Sequence, residues 1–183
     1  MSVFLLVLSI ILYAGALVAL PKRIFYAPAL SFLGLLCLSF CNTDGIAWLP
    51  INNTMIYSWL AITVVVMLTV MLQTPDVRFR SRGMGYMMVG AFVGLALGLL
   101  GYTFTNDYGM LYGIMAVATI VGIFFGFLVY GNTPHGRDVG ITSGNFFGYL
   151  FAKGFPIAVT VIQIGIVLVL IIVKHLELSS APY

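Results

Sequence analysis

The residues best suited to chemistry stand together in one polar stretch, Gly131 to Asn145, which contains His135, Arg137, Asp138, Thr142, Ser143 and Asn145. A phosphate or lipid headgroup could be met there by the Arg137 guanidinium, by Asn145 and by the glycine N–H groups. His135 and Asp138 are the candidates for acid–base work. They come without a Ser-His-Asp order, a glycine-rich phosphate motif or zinc-ligand spacing, so the stretch names no reaction, metal or cofactor.

Two further polar residues lie inside apolar sequence. Lys153 is placed to contact an anion or a lipid phosphate, or to snorkel to the headgroups from the start of a span. Gln163 lies deeper and can bind a ligand or hydrogen-bond across helices. Cys37 and Cys41, the two cysteines, share a helix face at a spacing that suits neither a four-ligand zinc site nor a CxxC redox motif, and they read as small packing residues. The acidic residues are informative by position. Asp44, Asp76, Asp107 and Asp138 fall in loops or at span ends and Glu177 near the C-terminus, so no carboxylate stands at membrane depth to relay a proton or bind sodium.

The elements that must carry these residues follow from composition. Of 183 residues, 62% are hydrophobic and 7% charged, and the mean hydropathy is +1.13. Continuous apolar runs near or above ~18 residues indicate transmembrane helices, and the absence of apolar-polar alternation argues against a β-barrel. The expected class is all-α: a polytopic membrane bundle of about six helices in a single domain, over 3–20, 24–41, 55–72, 84–104, 109–130 and 156–173, with an interfacial lead-in at 146–155. The first run has its basic residues after it rather than before, as a retained span does. Pro75 stops the third span sharply, and Trp48 marks the interface in a loop without Lys or Arg.

Basic residues set the expected orientation. Lys22 and Arg23, then Arg78, Arg80 and Arg82, then Arg137, occupy alternate loops and would share the cytoplasmic face, which puts both termini outside. The net charge of +3 reads as topology and not as a nucleic-acid footprint. Short loops and little mass outside the apolar runs point to a bacterial inner membrane.

Glycines mark where helices meet. Gly83, Gly90, Gly94, Gly98 and Gly101 fall on one face of the fourth span, so that another backbone can approach closely. The fifth span has Gly109, Gly113 and Ala116 on one side and Ala118, Gly122 and Gly126 on another, which suggests a helix seated between two neighbours at the bundle centre. A weak echo, Gln73-Thr74-Pro75-x-x-Arg78 against Asn132-Thr133-Pro134-x-x-Arg137, raises a duplicated hairpin.

These features lead to a non-enzymatic membrane component, a subunit or scaffold of a larger assembly, whose partners are the bilayer and either other membrane subunits or copies of itself. One alternative is a small transporter, or its substrate-binding subunit, built around a helix broken at Lys153, Gly154 and Pro156. Another is an enzyme acting on lipid headgroups through His135, Arg137 and Asp138.

Overall fold

In an apolar run with no water to pair with, the backbone must satisfy itself, and the helix does so within one segment. The computed structural model describes residues 2–41, 51–73, 82–103, 108–142 and 144–180, with side chains over 4–40, 51–73, 82–101, 109–142 and 144–171. Six helices are described: α1 (Ser2–Lys22), α2 (Tyr26–Cys41), α3 (Asn53–Met71), α4 (Met84–Leu99), α5 (Tyr108–Gly131) and α6 (Phe155–Ser180). A 3-10 turn, Leu100–Thr103, extends α4. Arg78 and Arg80 lie outside the described residues, as do Thr74, Pro75, Asp44, Asp76, Asp107, Trp48 and Ser143. The first copy of the Thr-Pro echo falls there too.

The chain is therefore an all-α polytopic bundle. Helices α1, α3 and α5 and the segment Phe146–Ile171 are each long and apolar enough to cross a membrane. Helices α2 and α4 have 16 residues each, about 24 Å at 1.5 Å per residue, against a hydrocarbon core of about 30 Å.

Neighbouring helices pack antiparallel. In the α1/α2 pair the Ser9 hydroxyl donates to the Gly34 carbonyl at 3.0 Å, while Gly15 faces Leu30. In the α4/α5 pair the contacts run from Tyr86 against Gly126, through Gly90 against Gly122 and Gly94 against Ala118, to Gly98 against Met115. Helix α3 packs mainly on α2 and α6 rather than on its sequence neighbour α4.

The centre of the bundle is α6 and not α5. In the most apolar stretch of Phe146–Ile171, 78% of residues are buried, against 17%, 17% and 22% in α1, α3 and α5, and α6 touches all five other helices. Lipid tails and protein interior are equally apolar, so the hydrophobicity of a span does not reveal which one is surrounded by protein. Polar content does, because a polar side chain must find partners inside the bundle. Lys153, Thr160 and Gln163 all belong to this segment and all are buried.

The entry to α6 is continuous helix. One α-turn, Phe146–Tyr149, leads into a π-helical turn, Leu150–Gly154, and then directly into Phe155. Pro156 has no N–H to offer the Ala152 carbonyl, and the widened turn ahead of it takes up that mismatch without a break. The turn is packed rather than peripheral, with Phe146, Tyr149, Ala152 and Gly154 buried.

Candidate functional site

The α4/α5 seam is built from absent side chains. A Cβ placed on Gly90 would stand 2.1 Å from the Gly122 carbonyl oxygen, and one on Gly122 the same distance from the Gly90 oxygen. Equivalent clashes arise at Gly94 with the Ala118 oxygen (2.2 Å), at Gly126 with the Tyr86 oxygen (2.2 Å) and at Gly98 with the Met115 Cα (2.7 Å). Only glycine permits such an approach. Gly113 is different: it is exposed, with nothing described within 4 Å of a Cβ built there. The second small-residue face of α5 thus has no described neighbour at that point, in keeping with the central place of α6.

On its outer side the seam opens into a groove of about 750 Å³, lined by apolar side chains and glycine backbone from Gly85 to Leu97 and from Ala118 to Val129. Val89, Val93, Leu97, Val121 and Phe125 are exposed along it. No titratable side chain other than the Tyr86 phenol lines it.

Polar groups at depth gather on the opposite side of the packing, around Gln163. The Ser31 hydroxyl of α2 lies 2.5 Å from Gln163 Oε1 and 3.0 Å from the Pro28 carbonyl, and Gln163 Nε2 donates to Thr63 Oγ1 of α3 at 3.2 Å. All three side chains are buried. One amide thereby joins three helices, the use expected of polar side chains in a medium that offers them no water. Thr160, one turn earlier, donates to the Pro156 carbonyl at 2.8 Å.

Lys153 is 2% exposed within the π-turn. Its nearness to a span end suggests snorkelling, yet the surrounding elements cover it: α3, α5 and α6 all contact the Leu150–Gly154 turn.

The polar stretch 131–145 is a folded structure wound on Tyr130. The Tyr130 carbonyl accepts the Thr133 N–H at 2.9 Å and the Thr133 hydroxyl at 2.7 Å, and the Tyr130 hydroxyl donates to the His135 carbonyl at 3.3 Å. Gly136 sits against the Tyr130 oxygen so tightly that a Cβ would meet it at 2.0 Å. A 3-10 turn, Arg137–Val139, follows and buries Val139. Gly83, the N-cap of α4 at φ +70°, lies under the Tyr130 ring, and the Tyr86 ring stands 5.5 Å from it, centroid to centroid.

Within this end the predicted site residues do not converge. His135, Arg137, Asp138, Thr142 and Asn145 are exposed. Asp138 accepts from Arg82 Nη1 at 2.9 Å, which ties the α3–α4 connection to the α5–α6 connection. Among the described residues no hydrogen bond or ion pair joins the His135 imidazole to Asp138, and no three His, Cys, Asp or Glu side chains gather to hold a metal. Lys22 and Arg23 stand at the α1–α2 turn, exposed. Cys37 is half-buried and unbridged.

Tyr130, Ser31 and Thr63 hold these arrangements together, and sequence reading passes over them. Ser and Thr are common in spans and usually bond their own helix, as Thr119 does to Met115 and Thr160 to Pro156. Gln163 is the signal that could have found the other two, since a buried amide needs partners on neighbouring helices.

The architecture and its polar core define the class as a polytopic helical membrane protein. No known protein family, no curated protein and no solved structure matches the chain.

Proposed function

We propose that the chain is a non-enzymatic integral membrane component, a subunit or scaffold of a larger assembly in a bacterial inner membrane, with both termini outside. The observation that carries this reading is the apolar groove over the α4/α5 seam. Its walls run for about twelve residues on each helix, roughly 18 Å at 1.5 Å per residue. A groove of that form takes the side-chain ridge of another transmembrane helix, and exposed glycine backbone allows the approach to be close. The polar groups at depth point the same way, because Gln163, Ser31 and Thr63 are engaged with one another and hold the bundle rather than a solute.

The experiment is native purification from mild detergent or nanodiscs with mass spectrometry of what accompanies the chain. A stoichiometric membrane protein is expected. It should be released by filling the groove with Val93→Trp and Val121→Trp while the thermal unfolding of the bundle itself stays unchanged. Recovery of the chain alone, with solute uptake intact in proteoliposomes, would replace this reading with that of a transporter.

A further inference from the structure

A second cleft, of about 340 Å³, lies where α1 and α2 meet beside their connecting turn. Its inner walls are apolar, from Gly15, Val18 and Ala19 of α1 and Leu30 of α2. Gly15 leaves it open: a Cβ there would meet only Leu30 Cδ1, at 3.9 Å. Lys22, Arg23 and Tyr26 line the same cleft at the turn, and all three are exposed. Neither cation forms an ion pair among the described residues, whereas Arg82 is paired with Asp138. Two cations without an ion-pair partner among the described residues and a phenol thus stand over an open apolar cleft where two helices end. An acyl chain matches the cleft, and a phosphate at headgroup level matches the cations, whose attraction for anionic lipid is of order tenfold or less per residue.

We propose that this cleft binds one phospholipid with an anionic headgroup, its phosphate held by Lys22 and Arg23 and a tail lying against Gly15, Val18 and Leu30. The site is independent of the α4/α5 groove and does not rest on the subunit reading.

The test is native mass spectrometry of the full chain in neutral detergent. It is titrated with phosphatidylglycerol or phosphatidylcholine of identical acyl chains and, separately, with inorganic phosphate. The first lipid bound should favour phosphatidylglycerol by roughly tenfold, and that preference should shrink as salt rises. Lys22→Gln with Arg23→Gln should bring phosphatidylglycerol down to the phosphatidylcholine level, while Lys22→Arg with Arg23→Lys retains the preference. Gly15→Leu, which fills the cleft, should weaken both lipids. Thermal unfolding identifies any variant that has not folded, and the salt dependence of the unaltered protein tests the charge term without one. Equal binding of the two lipids overturns the proposal, as does a preference that survives the glutamine pair. Binding of inorganic phosphate as tight as that of the lipid, or indifference to Gly15→Leu, would mean an anion site only and likewise overturn it.

Discussion

Gln163 shows what a single polar side chain does in an apolar medium. Its amide reaches Ser31 on α2 and Thr63 on α3, so its removal loosens two helix contacts at once. Interhelical bonds of this type contribute about 0.6 to 1 kcal/mol each. Gln163→Leu should therefore lower the unfolding free energy by about 1–2 kcal/mol, measured by denaturant titration in mixed micelles. Ser31→Ala alone should matter less, since the Gln163 amide keeps its bond to Thr63. Combined with Gln163→Leu it should add less than its own effect, because the two changes remove one shared bond. Full additivity would mean that the amide and the hydroxyl act separately. Lys153 teaches a related point: proximity to a span end is legible in the sequence, but whether other helices cover that end is not.

Between helices, the α4/α5 seam is set by backbone approach. A side chain at Gly122 has no room to rotate away, because the obstacle is the Gly90 carbonyl rather than a flexible neighbour. Gly122→Val should separate the two helices and destabilise the fold by more than about 3 kcal/mol, beyond the usual range for overpacking, or abolish accumulation of the protein. Gly113→Ala is the matched control. With open space around it, the change should be neutral or stabilising by up to about 1 kcal/mol through helix propensity. Thermal unfolding of the two variants in one detergent checks both, and equal losses would refute the assignment of the seam. Sequence reading identified the face of α4 correctly because the spacing of its glycines fits one arc. It also gave α5 a second packing face: α5 does touch α6 as well as α4, but Gly113 itself is exposed, and a stripe of small residues looks the same whether a helix or lipid lies against it.

For the molecule as a whole, the proposed topology, in which all six helices cross in alternation, would place the α1–α2, α3–α4 and α5–α6 connections at one end. The Arg82–Asp138 pair joins the second and third of these directly. Single cysteines introduced at Gln73 and Asn145, in a chain carrying Cys37→Ala and Cys41→Ala, should react with an impermeant reagent from the same side of the membrane. A cysteine at Asn52 should react only from the other. Labelling of Asn52 and Asn145 from one side would require that one of the three helices between them does not cross, with α4, the shortest of the three, as the first to examine.

The all-α class was legible in the residues because one requirement dominates it: a backbone in hydrocarbon must bond to itself, so long apolar runs become helices. The reach of the glycine face on α4 was legible for the same kind of local reason. What only the tertiary structure decided was which helix the others surround, where Gln163 finds its partners, that Lys153 is covered, and that Asp138 faces Arg82 instead of His135. Each depends on contacts between segments far apart in the chain. Between spans of nearly equal hydrophobicity, packing shape and the pairing of a few polar groups choose the arrangement.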